Sequence, residues 1–149
     1  MQLKQKIHAA CLQVVNKKIE ALQNTLQELG EGALSDGKSS AGDKHETARA
    51  MMQLEQEKIS RQLDEVLAQK SVLQKIDATL TSTQITKGSL VKTNKGYLFL
   101  SIALGKLMVD SIDIIVLSPQ SPLGLKLMSL AAKSSVEINT VTYLIEEVL

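Results

Sequence analysis

Two apolar stripes with helical spacing, separated by a Gly- and Ser-rich stretch, constrain this chain more than any other feature. In the first stripe, Leu3, Ile7, Ala10 or Cys11, Val14, Leu22, Leu26 and Leu29 recur mostly three or four residues apart, which gathers them on one side of a helix. The second carries Met52, Ile59, Leu63, Val66, Leu73, Ile76 and Leu80, with Glu, Gln, Lys and Arg on the other faces. Lys18 interrupts the first stripe; its methylene stem can cover a seam while the ammonium stays in water. Gly30, Gly32, Gly37 and Gly42, with Ser35, Ser39 and Ser40, predict that one helix ends near Gly30 and the next begins after Gly42. The pattern predicts an antiparallel coiled-coil hairpin over 1–80, its helices free of Gly and Pro and roughly 40 Å long at about 1.5 Å per residue. A 30–42 connection exceeds what two antiparallel helices require, which favours a functional tip.

After Leu80 the pattern changes to short strand-like runs over 89–93, 97–104, 106–109 and 113–118. Asn94-Lys95-Gly96 reads as a hairpin turn and Gly105 as another tight reversal. Pro122 is placed to open a helix through Leu123, Leu127, Met128 and Leu130, and two closing strands follow near 136–138 and 140–147. The expected class is α+β, with a coiled-coil hairpin over 1–80 and a small antiparallel sheet with one helix over 81–149.

Composition removes several function classes. With 149 residues and 44% hydrophobic content the chain is a folded protein with room for two small units. Lys and Arg total 17 against 16 Asp and Glu, so no uniform basic field drives direct DNA binding. Tyr97, Phe99 and Tyr143 are the only aromatic residues, too few for a base-stacking platform. Cys11 is the single cysteine, which excludes an intrachain disulfide and any multi-cysteine zinc site and fits a reducing cytoplasm. Lys4, Gln5, Lys6 and His8 break any signal-peptide core, and the apolar runs are too short to span a bilayer, so no membrane partner is expected. The C-terminal half has no phosphate loop, no nucleophile elbow and no histidine; the chain is not expected to be an enzyme by itself.

Gly42-Asp43-Lys44-His45-Glu46 marks the start of the second helix. Asp followed three residues later by Glu is a capping-box spacing, and both carboxylates suit the positive end of a helix dipole. The same spacing puts both on one face, about 5 to 6 Å apart at Cβ, close enough to address one divalent ion or its water shell. His8 and His45 lack partners at ligand spacing and read as surface histidines. Cys11 is expected in the seam as a small hydrophobe, Met51 and Met52 as core filling, and Asp110 and Asp113 as solvated edge residues or turn caps.

The order of parts resembles the Gre family of bacterial transcript cleavage factors over nearly the whole chain. Asp43-Lys44-His45-Glu46-Thr47-Ala48 is similar to the family's Asp-x-x-Glu-Asn-x-Glu-Tyr tip, and Ser121-Pro122-Leu123-Gly124-Leu125-Lys126-Leu127 to its Ser-Pro-x-(Gly/Ala)-x-x-Leu helix, followed by closing strands over 136–138 and 142–148. The resemblance implies an FKBP-like C-terminal domain anchored at the rim of the secondary channel of RNA polymerase. It also implies a coil inserted until its tip meets the active site. There Asp43 and Glu46 would help hold a Mg2+ shared with the polymerase, assisting hydrolysis of a backtracked RNA 3' end by the polymerase's own centre, so that RNA is engaged only indirectly. No cofactor is expected in the isolated protein. Thr47 stands where the family has Asn, Arg49-Ala50 where it has Glu-Tyr, and the family's Gly-Asp turn is missing near 133–135. Lys38, Lys44 and Arg49 partly neutralise the tip. Two alternatives stand beside cleavage stimulation: a regulator of the same fold that occupies the channel without promoting cleavage, and a plain coiled-coil adaptor.

Overall fold

The computed structural model describes residues 2–36 and 43–149, with side chains described at 2–31 and 46–149. Helix α1 spans Leu3–Asp36 and α2 spans Asp43–Gln74. The expected break at Gly30 does not occur, since α1 continues through Gly30 and Gly32. Each glycine costs about 1 kcal/mol relative to Ala inside a helix, but extending a formed helix adds one hydrogen bond per residue, so two isolated glycines do not stop it. Gly37, Lys38, Ser39, Ser40 and Gly42 lie outside the described residues. At the other end α2 stops at Gln74, short of Ile76 and Leu80, and Leu80 is exposed instead of packed.

The chain forms two compact units, one of Gln13–Lys70 and one of Met1–Leu12 with Ser71–Leu149. The described residues of the first are all helical. Val15, Ile19 and Ile59 are buried there, and Leu22, Leu26, Leu29, Met52, Leu63 and Val66 are half-buried, a run of three- and four-residue steps on each helix. The seam of α1 follows the sequence pattern at Ile7, Cys11, Leu22, Leu26 and Leu29 and departs from it only between 14 and 19: Val15 and Ile19 are buried, Val14 is half-buried, and Lys18 is exposed with Ile19 in its place.

The second unit is built on a six-stranded sheet. Its strands are β1 Leu90–Thr93, β2 Gly96–Leu100, β3 Gly105–Val109, β4 Ile112–Leu117, β5 Ser135–Ile138 and β6 Val141–Val148, in the order β3-β4-β2-β1-β6-β5. The sheet is mixed, not wholly antiparallel, because β2 and β4 pair in parallel from Tyr97 opposite Ile114 to Leu100 opposite Leu117. The chain leaves β2 at Leu100, makes β3, and turns back into β4, so the crossover that parallel pairing needs is itself an edge strand. Asp110 and Ser111 make the β3–β4 turn at φ 52° and 64°, and Asn139 and Thr140 the β5–β6 turn at 48° and 66°. Positive φ at both central positions gives a turn twist that matches the strands, and Asn and Asp tolerate it best after Gly.

Both faces of the sheet are buried. Val91, Leu98, Leu100, Leu117 and Ile145 form one core with Ile85 and with Leu127 of the short helix α3, Pro122–Leu127. The alternate residues Leu90, Phe99, Ile114 and Val116 are buried on the opposite face, where Leu90 lies opposite Phe99 and Phe99 opposite Val116. The remaining elements of this unit are the helix bases, and Ile7, Cys11 and Leu73 on them are fully buried. Fully burying side chains of this size contributes about 1.5–3 kcal/mol each, so this two-sided core dominates the stability of the unit.

Helix α3 is fixed by its own cap. Ser121 Oγ accepts from Gly124 N at 3.0 Å and donates to Ser118 O at 2.7 Å, while Pro122 supplies the first helical residue. A Cβ on Gly124 would collide with the Ser118 carbonyl oxygen. The helix ends at Leu127, before Met128 and Leu130, because Met128 leaves helical geometry and Ser129 takes φ 72°.

Candidate functional site

The two carboxylates singled out by sequence share the first turn of α2. The helix begins at Asp43, and Glu46, three residues on, is exposed; the Asp43 side chain lies outside the described residues, as do Lys44 and His45. Arg49 and Ala50 are also exposed, and Arg49 follows Glu46 at the three-residue spacing that makes side chains neighbours on a helix. Met51 does not fill a core: it is 66% exposed, with Leu54 at 64%, while Met52 is half-buried on the seam. The first three turns of α2 therefore present acid, base and apolar groups to solvent.

Two carboxylates alone supply few of the ligands that Mg2+ takes. The ion demands near-octahedral oxygen coordination and gives up its waters reluctantly, and an acidic pair leaves most positions unfilled. Among the described residues no group of three or more His, Cys, Asp or Glu side chains is placed to hold a metal ion.

A second set of polar side chains gathers at the helix bases. Lys4 is 7% exposed, and its Nζ donates to Leu80 O at 2.6 Å and to Leu149 O at 3.1 Å, fastening α1 to the connection after α2 and to the end of β6. Desolvation lowers its pKa from the usual lysine value, and the charge of Asp77 opposes that shift. Asp77 is held below the usual carboxylate range chiefly by the Thr79 hydroxyl, which donates to Oδ1 at 2.5 Å, and by Thr79 N, which donates to it at 2.9 Å. His8 is not a free surface histidine: it is half-buried, with Nε2 at 2.7 Å from Leu73 O, a distance at which a protonated Nε2 donates. Cys11 is buried beside this cluster as the seam pattern implied, and burial pushes its thiol up to about 12. Asp110 and Asp113 are exposed in or beside a turn, paired with Lys6 at 2.8 Å and Lys106 at 3.5 Å. Exposed pairs of this kind contribute about 0–1 kcal/mol.

Lys4 was missed in the sequence, although a signal existed. It falls on the buried side of α1 with Ile7 and Cys11, at the three- and four-residue steps of the seam, where a lysine must find acceptors or leave.

No described helix is long and apolar enough to cross a membrane. No family model, no curated protein and no solved structure matches the chain.

Proposed function

We propose that this chain is a Gre-like transcription elongation factor that inserts its helical hairpin into the secondary channel of RNA polymerase and stimulates the polymerase's own cleavage of backtracked RNA. The observation that carries the reading is the pairing of two long helices, α1 and α2, with an acidic first turn of α2 in which Glu46 is exposed. In this reading 1–80 is the inserting arm and 81–149 an FKBP-like anchor at the channel rim, in the cytoplasm. Asp43 and Glu46 add carboxylates to a Mg2+ whose shell the polymerase mainly supplies, and the protein makes no catalytic centre of its own. RNA is met only through its 3' end in the polymerase. Two exposed carboxylates on a helix N-terminal turn gain little cation affinity alone, and they become effective where another set of ligands already holds the ion.

The test is RNA release from halted, backtracked elongation complexes. Wild-type protein is expected to shorten the transcript, and the double variant Asp43→Asn with Glu46→Gln to bind polymerase equally while releasing no short RNA. Equal cleavage by the double variant, or no polymerase binding by the wild type, sinks the proposal.

A second reading is favoured by Arg49, which stands three residues after Glu46 at the spacing of neighbours on one helix face. A cation there competes with a metal for the carboxylate, which suits a regulator that fills the channel and slows transcription without cleavage. Binding with inhibition and no RNA release selects it, and Arg49→Glu is then expected to introduce cleavage.

A further inference from the structure

A cavity of about 440 Å³ opens in the sheet-bearing unit, walled by the last turn of α2, the connection that follows it and the turn before β1. Lys4, Lys75 and Lys87 line it against one carboxylate, Asp77. That carboxylate is already engaged by the Thr79 hydroxyl and backbone N–H. Lys75 and Lys87 are exposed and have no ion-pair partner among the described residues. Lys4 is the telling member. An ammonium has three N–H donors, and Lys4 has two acceptors, Leu80 O and Leu149 O. One donor therefore has no protein acceptor among the described residues, in an ammonium only 7% exposed whose charged side-chain neighbour, Asp77, is already engaged by Thr79.

The opposite wall is shaped to come close. Gly88 has φ +96°, and a Cβ there would stand 3.0 Å from Ile76 Cγ2, so the backbone passes against the cavity wall where only glycine fits without displacing it. Ser89 Oγ accepts from Thr86 N at 2.9 Å and fixes that turn. Thr81 and Ser82 add hydroxyls, while Val72, Ile76 and Leu80 make the rest of the lining apolar. Among the side chains that line the cavity, three ammonium groups stand against one occupied carboxylate, a balance that favours an anion, and lysine is a point-charge binder of phosphate. The volume falls within the range of small-molecule sites.

We infer that this cavity binds a phosphate monoester with a compact apolar body, the dianionic head held by Lys4, Lys75 and Lys87 and the body resting on Val72, Ile76 and Leu80.

The experiment is an NMR titration of the full 15N-labelled chain with phenyl phosphate, inorganic phosphate and phenol as three separate probes. Phenyl phosphate is expected to saturate, with amide shifts concentrated at 75–89, and to bind several-fold tighter than inorganic phosphate, with phenol weaker than either. The double variant Lys75→Gln with Lys87→Gln, whose changed side chains are exposed, is expected to keep the wild-type melting temperature and to weaken phenyl phosphate at least tenfold. Lys106→Gln, on β3 and outside the cavity, should leave the affinity unchanged. Shifts spread over surface lysines at large, equal affinity in the double variant, equal loss in Lys106→Gln, or phenyl phosphate no tighter than phosphate would each overturn the assignment.

Discussion

Gly30 in the helical unit and Gly124 in the sheet unit face opposite surroundings. A Cβ on Gly30 meets nothing within 4 Å, whereas one on Gly124 runs into the Ser118 carbonyl. The same contrast holds across the two regions. Gln13–Lys70 buries Val15, Ile19 and Ile59 and leaves the rest of its seam half-covered, while the sheet unit closes a core on both faces. Packing therefore dictates residue identity strictly in one region and loosely in the other. Ser121-Pro122-Leu123-Gly124 is fully accounted for by a cap, a first helical residue and a close backbone approach, so its presence is evidence about folding. Glu46 and Arg49 satisfy no comparable demand, so their identity is where function has room to act.

This contrast can be broken most forcefully at Phe99. Its ring is fully buried between Leu90 and Val116 in the register of the sheet, and Phe99→Ala is expected to cost about 3–5 kcal/mol in urea denaturation. A loss below about 1 kcal/mol would mean the sheet core is no tighter than the helical seam. Gly124→Ala comes next, with an expected loss of about 1–3 kcal/mol as the 118–122 turn is pushed off α3. Ser101→Ala is expected to gain about 1 kcal/mol, because Ser101 Oγ is buried with no hydrogen-bond partner among the described residues and the methyl group removes that cost. Gly30→Ala should gain about 0.5–1 kcal/mol through helix propensity and a narrower unfolded ensemble, a change of opposite sign to that at Gly124. The smallest effect concerns Asp77. Its folded pKa is depressed, so the stability it contributes is present above its unfolded value of about 3.9 and is lost as the pH falls through the folded one. Asp77→Asn should flatten the stability profile below about pH 4, measured as the denaturation midpoint at successive pH values.

The helices were readable because their apolar period is long and repeated, and most strands because turn residues punctuate them. Three features escaped for definite reasons. Gly30 and Gly32 resemble a stop signal locally, and only the continuing helix on both sides overrides them. The parallel pairing of β2 with β4 depends on a partner choice that alternation along one strand does not encode. The breaks near Asp110 and Asn139 were legible, but the positive-φ two-residue form of the Asp110-Ser111 and Asn139-Thr140 turns was not, because neither contains glycine. At the candidate tip the sequence identified Asp43 and Glu46 and their common helical turn, but not the exposure of Met51 and Leu54 beside them. The lysine cavity was illegible altogether, because Lys4 lies far along the chain from Lys75 and Lys87, and its walls exist only once β1 and the helix bases are folded together.

The burial of Cys11 makes the molecule its own gauge of breathing. A thiol with its pKa pushed up to about 12 is almost wholly protonated at neutral pH and is a poor nucleophile, so alkylating reagents must wait for α1 to lift at its base. Because this is the chain's sole thiol, mass-spectrometric labelling rates would read that transient exposure directly, with no engineered probe.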